Sequence, residues 1–210
     1  MHSRQTVVAL FALLLIATTA DAQAPPRYRL FDVVIWYATR VDSAQYEPAV
    51  RQELAQFTQR VKSYRPRPRP AGLGGEMKMV YAAREGYETK LVASAATSGV
   101  ETLAQRYVDE LRPCYEWESF HDCPEREAEF AEQHLAANPN TPFREFLLLL
   151  VAHRWICAAE GYESEGMPEQ AGRARRASAA PLAAALKSRS LLLRTAADEL
   201  RTSRRCYSER

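Results

Sequence analysis

Two groups of residues have the types and spacing to do chemistry. The first is the run Tyr115-Glu116-Trp117-Glu118-Ser119-Phe120-His121-Asp122. Carboxyl groups set among aromatic rings titrate higher than usual, as acid catalysis and sugar cleavage require, so Glu116 and Glu118 are candidate catalytic residues. They stand two positions apart, and that spacing does not assign them to opposite sides of a substrate. The simpler reading is a tethered loop whose Trp117 plugs the core. The second group is His153-Arg154, a polar pair inside an otherwise apolar stretch. Buried polar groups need partners, and the planar, always charged guanidinium suits a carboxylate. Glu116, Glu118 or Asp122 is the expected partner. Read structurally, the pair ties the loop to a helix. Read functionally, it is a pocket where His153 moves a proton and Arg154 holds an anionic group.

Four cysteines, Cys114, Cys123, Cys157 and Cys206, form the third chemical set. Three pairings are open to them. The pairing Cys114–Cys157 with Cys123–Cys206 is preferred, because long-range bridges remove more entropy from the unfolded chain. The pairing that contains Cys114–Cys123 closes only a short loop. No C-x-x-C occurs, so a thioredoxin-type redox site and a zinc ribbon lack support. His121, His134 and His153 show no H-E-x-x-H or other ligand spacing, and no metal site is expected. No G-x-S-x-G, phosphate-binding loop or dinucleotide fingerprint is present, and no cofactor is expected.

The chain has 210 residues. Arg4 precedes an apolar stretch at 7–17, and Ala20-Asp21-Ala22 supplies an A-x-A cleavage site. Residues 1–22 therefore read as a secretory signal peptide. Its removal leaves 188 of the 210 residues, at the size of one domain. Gln23, not a cysteine, stands directly after the cleavage site, so a lipid anchor is not expected. The longest later apolar run, 146–152, is far short of the roughly 20 residues a membrane span needs. The mature chain is expected to be soluble, and periplasmic or secreted. An even cysteine count after export points to disulfides.

The net charge of +2 conceals a strong asymmetry. Residues 101–132 carry ten acids against three bases, whereas 40–70 carry seven bases against three acids, and 161–210 ten against six. Such runs are ordinarily solvated faces. The sharper reading is a surface for an anionic envelope component or an acidic envelope protein. Export and near-neutral charge argue against nucleic acid. Oligomeric state is not legible.

The elements that must position these residues are mostly helical. Residues 29–37 (RLFDVVIWY) are β-branched and aromatic and predict a strand. Tyr46, Val50, Leu54, Phe57, Val61 and Tyr64 make a helical stripe, with Pro48 in its first turn. RPRPRP at 65–70 forbids helix and, with the glycines to 75, reads as an exposed connection. Residues 77–82 and 88–93 predict short strands about a Glu85-Gly86 turn, the second being equally readable as helix. Ser98 and Glu101 suggest a capping box opening a helix that Pro113 stops. Pro124 opens the next, running to about residue 137. Asn138-Pro139-Asn140 is a turn, after which Thr141 and Pro142 are expected to cap and start a central helix ending at Gly161. Pro168 starts another, Pro181 breaks or restarts it, and Leu191, Leu192, Ala196, Ala197 and Leu200 line the last. The fold class is mainly α: one compact helical domain over 23–210 with a small N-terminal β element, α+β being the alternative.

Within 125–162, Phe130 and Leu135, then Asn138-Pro139-Asn140-Thr141-Pro142-Phe143, then a long apolar helix, resemble the helix–turn–helix units of exported bacterial tetratricopeptide-type proteins. No second copy follows at a period near 34 residues, and Arg154-Trp155 stands where that family packs small residues. The resemblance implies a helical hairpin and, through it, a scaffold or binding role. The functional expectation is an exported, non-catalytic binding or scaffold module of the cell envelope. The alternative is an envelope hydrolase, glycan-directed, using Glu116 or Glu118 with His153 and Arg154.

Overall fold

The computed structural model describes residues 28–35, 41–95, 97–113 and 120–207. Among them lie eight α-helices and no strand: α1 (Leu30–Ile35), α2 (Pro48–Ser63), α3 (Gly75–Ser94), α4 (Glu101–Glu110), α5 (Asp122–Ala137), α6 (Arg144–Ser164), α7 (Pro168–Ala185) and α8 (Leu191–Ser203). The mainly α reading therefore holds. The signal peptide at 1–22, Cys114, Glu116, Trp117 and Glu118 lie outside the described residues.

Helix α6 is the centre because it is apolar on every side. Phe146, Leu147, Leu149, Leu150, Val151, Ala152, Ile156, Ala158 and Ala159 are all buried. It packs chiefly against α7 and α5. Those helices present small residues to it, Ala171 and Ala174 on α7 and Ala128 and Ala131 on α5. Helix α8 packs on α1, α2, α6 and α7, and α3 lies against α2 and α4. One continuous cluster of buried apolar side chains draws on all eight helices.

Several expectations are corrected. Within the stretch read as a strand, Leu30–Ile35 is helical, and residues 36–40 lie outside the described residues. Six residues cannot hold a helix alone, and β-branched Val33, Val34 and Ile35 do not favour one. Tertiary contacts override propensity here. All six residues are buried, the Leu30 N–H donates to Glu199 Oε2 at 2.7 Å, and the Arg29 N–H donates to Asp32 Oδ2 at 2.8 Å. The strand read at 77–82 and the segment at 88–93, open to strand or helix, are one helix, α3, and Gly86 lies inside it. Ala83, Tyr87 and Leu91 form a buried row at i, i+4 and i+8 while Glu85 and Thr89, on the same face of a strand, are only half-buried, which is helical spacing.

Helix starts also shift. Ser98 does not cap α4, which begins at Glu101 after a turn at Gly99 (φ 77°). Helix α6 begins at Arg144 with buried Phe143 before it, not with Thr141 and Pro142. The Thr141 N–H instead closes the preceding turn onto the Asn138 carbonyl at 3.0 Å. Gly161 does not stop α6 but lies within it. A Cβ there would stand 2.6 Å from the His121 backbone nitrogen, so glycine lets the segment entering α5 cross the helix. The end comes at Ser164, followed by Gly166 at φ 74°. Helix α7 runs through Pro181 to Ala185 rather than breaking there.

The disulfide pairing is corrected too. Cys157 on α6 bonds Cys206, which follows α8, across a sequence separation of 49. The preferred pairing split these two cysteines. Cys123 is disulfide-bonded as well. The entropy argument ranks pairings of an unfolded chain. The order in which helices stack decides which sulfurs meet, and α8 returns its end to the middle of α6.

Candidate functional site

The His153–Arg154 pair proves to be wholly internal. His153 shows no exposure and Arg154 2 %. Arg154 Nε donates to Glu127 Oε2 on α5 at 2.5 Å and its Nη2 donates to the Tyr87 hydroxyl on α3 at 2.5 Å. The Tyr87 hydroxyl in turn donates to Glu127. The carboxylate that meets Arg154 is thus Glu127, not Asp122, which is exposed and pairs with Arg126 at 3.6 Å. Burial works against the Arg154 charge, but Tyr87 and Glu127 outweigh it and raise its pKa above the ordinary value. Burial pushes the Tyr87 hydroxyl well above its ordinary range.

His153 is locked in one tautomer by its neighbours. The Cys206 carbonyl can only accept, so Nε2 carries the proton and donates at 2.8 Å. Nδ1 must then accept from Arg154 Nη1 at 3.0 Å. Burial first, and the Arg154 charge second, lower its pKa well below the ordinary histidine value. A neutral imidazole with both nitrogens occupied is a structural tie, not a proton shuttle. The disulfide sulfur of Cys157 lies 3.5 Å from Nδ1. His153, Cys157 and Cys206 bring their ligand atoms within 4.8 Å of one another. The two sulfurs are bonded together, however, which leaves no thiolate for a metal.

One polar atom in this core lacks a partner among the described residues, the Tyr107 hydroxyl. Burial raises its pKa, with the Glu127 charge adding to the rise. Its ring bridges α4 to α5, meeting Phe130 at 5.0 Å and His134 at 4.9 Å, both edge-on.

The Tyr107 and His134 rings line a surface pocket of about 390 Å³, a size within the usual range for small ligands. Helix α4 supplies Leu103, Arg106, Tyr107 and Glu110. The end of α5 and the following turn supply His134, Asn138, Pro139 and Asn140, and the approach to α6 supplies Thr141, Pro142 and Phe143. Phe143 and Tyr107 are buried, whereas Leu103 leaves 42 % of its surface in solvent. Here the side chains of Arg106, Glu110, His134, Asn140 and Thr141 make no hydrogen bond or ion pair among the described residues. Burial lowers the His134 pKa, against a smaller upward pull from Glu110, so its imidazole is neutral near pH 7.

Of the residues singled out in the sequence, Glu116 and Glu118 lie outside the described residues, while His153 and Arg154 are brought together in the core. His121 pairs with Glu165 at 2.7 Å and stacks on Tyr162 at 4.0 Å, anchoring the start of α5. The pocket is assembled from separate stretches of sequence. Its local signals were present, Arg106 and Glu110 one turn apart and a Pro/Asn-rich turn after His134, but nothing local places α4 over that turn. Comparison with protein-family profiles, curated proteins and solved structures finds no match.

Proposed function

We propose that this chain is an exported, non-catalytic binding module of the cell envelope, with the pocket between α4 and the α5–α6 turn as its binding site. The observation that carries the proposal is the set of five pocket side chains with no hydrogen bond or ion pair among the described residues. Hydrogen-bonding groups gathered around an apolar floor and left unpaired suit a ligand that completes them. The burial and fixed tautomer of His153 weigh in the same direction, since a general acid or base must reach substrate. The Cys157–Cys206 bridge suits an oxidising compartment. No described helix is long and apolar enough to cross a membrane.

The test is ligand-observed NMR on the full chain with three classes of compound: short peptides, oligosaccharides and phospholipid head groups. The control is Thr141→Trp, which fills the pocket, with an unchanged circular dichroism spectrum. One class should bind the wild type and lose at least tenfold in the filled variant. No binding by any class, or binding indifferent to Thr141→Trp, overturns the proposal. Release of reducing sugar from envelope polysaccharide would replace it with the hydrolase reading. For export, mass spectrometry of the chain from the extracytoplasmic fraction should find Gln23 at its N-terminus. An intact Met1 there, or recovery only from the cytoplasm, overturns that part.

A further inference from the structure

We infer that the pocket takes a short zwitterionic peptide whose apolar side chain sits against Leu103 and Phe143; this rests on the binding-module reading above. The starting point is the pair Arg106 and Glu110, four residues apart on one face of α4. Opposite charges at that spacing stand on the order of 5–6 Å apart at Cβ and ordinarily meet, best with the acid N-terminal to the base. Here the base comes first, the less favourable order, and the two do not pair within 4 Å. The rim therefore offers a cation and an anion one turn apart on the same helix, neither of them ion-paired among the described residues.

This pattern discriminates between ligand classes. A purely anionic ligand would satisfy Arg106 and be repelled by Glu110. A neutral sugar would cover both charges without neutralising either, and covering an unpaired charge is costly. A zwitterion answers both, with its carboxylate on Arg106 and its ammonium on Glu110. Between these ends, neutral His134 supplies one donor and one acceptor, and the Asn140 amide and Thr141 hydroxyl supply both kinds, which is what a peptide group needs. Leu103, Phe143 and two prolines supply apolar wall beside Tyr107, and the Asn138 amide is already bonded to the His134 carbonyl at 3.2 Å.

The experiment is a calorimetric titration of the full chain at pH 7 with alanyl-leucine, its N-acetyl form and its C-terminal amide. The free dipeptide should bind at least tenfold tighter than either blocked form. Arg106→Gln should abolish discrimination against the amide, and Glu110→Gln discrimination against the N-acetyl form. Both positions are exposed, so the fold should tolerate these changes, and melting curves check it. Equal binding of the three probes, or discrimination that survives both substitutions, overturns the inference. If the dipeptide fails to bind while a sugar or head group binds and is lost in Thr141→Trp, the peptide assignment alone falls. If no class binds, the binding-module reading falls with it.

Discussion

Arg154 illustrates how a single residue type constrains what lies around it. A guanidinium cannot shed its charge, so a core that contains one must supply an acceptor network. Tyr87 and Glu127 do so from two different helices. Removing one partner of such a pair leaves an uncompensated buried charge, so Glu127→Ala should cost about 3–5 kcal/mol, measured by urea denaturation. A loss below about 1 kcal/mol would mean that the charge finds solvent and that the pair is marginal. Tyr107 gives the opposite expectation. Its hydroxyl is buried with no partner among the described residues, so Tyr107→Phe removes a desolvation penalty rather than a bond. The melting temperature should stay level or rise, corresponding to about 0–2 kcal/mol of added stability. A clear drop would show that the hydroxyl is bound after all. Lys90 was not singled out from sequence either. Burial lowers it to about 8, and it donates to the Val33 carbonyl in the last turn of α1 while lying 5.2 Å from the centre of the Phe57 ring. A cation suits that end of a helix.

At the scale of elements, the starts of α1 and α8 draw on acids from elsewhere in the chain. Glu53 on α2 accepts from the Leu191 and Leu192 N–H groups at 3.1 and 3.0 Å and from the Ser190 hydroxyl at 2.7 Å, at the head of α8. Glu199 does the same for α1. For Glu53, burial raises the pKa but the hydrogen bonds from Leu192, Ser190 and Leu191 outweigh it, and the net shift is downward. A carboxyl held lower in the folded than in the unfolded state stabilises above its unfolded pKa of about 4.5. That contribution fades as pH falls through the folded value. Glu53→Gln should therefore cost about 1 kcal/mol at pH 7, and the gap to wild type should close as the pH is taken from 7 to below about 4.5. Denaturation midpoints across that range check it, and a pH-independent gap would mean that Glu53 acts through packing alone. These contacts also explain why local signals misled. Ser98 and Thr141 have the composition of caps, but a cap works only if the helix starts beside it. Buried Val100 and Phe143 set where α4 and α6 begin.

For the whole molecule, the Cys157–Cys206 bridge joins the end of the chain to the middle of the central helix. His153 and Glu160 add hydrogen bonds to the backbone of Cys206, at 2.8 and 3.1 Å. Closing a loop of this size removes unfolded-state entropy equivalent to about 4 kcal/mol. The double variant Cys157→Ser, Cys206→Ser should lose about 2–4 kcal/mol in non-reducing conditions while a compact helical spectrum persists. Equal stability with and without the bridge would mean that packing of α8 already holds the tail. The sequence by itself determined the helical class, the apolar centre at 146–152, the stripe of α2 and the start of α7 at Pro168. Those features follow from periodicity and from proline, which act within a few residues. Tertiary structure alone decided the rest: that 30–35 is helix, that Glu127 faces Arg154, which sulfurs join, and that α4 overhangs the Asn138–Pro139–Asn140 turn to make a pocket. Each depends on residues from about 25 to 170 positions apart meeting in space, and local preference says nothing about which surfaces the core brings together.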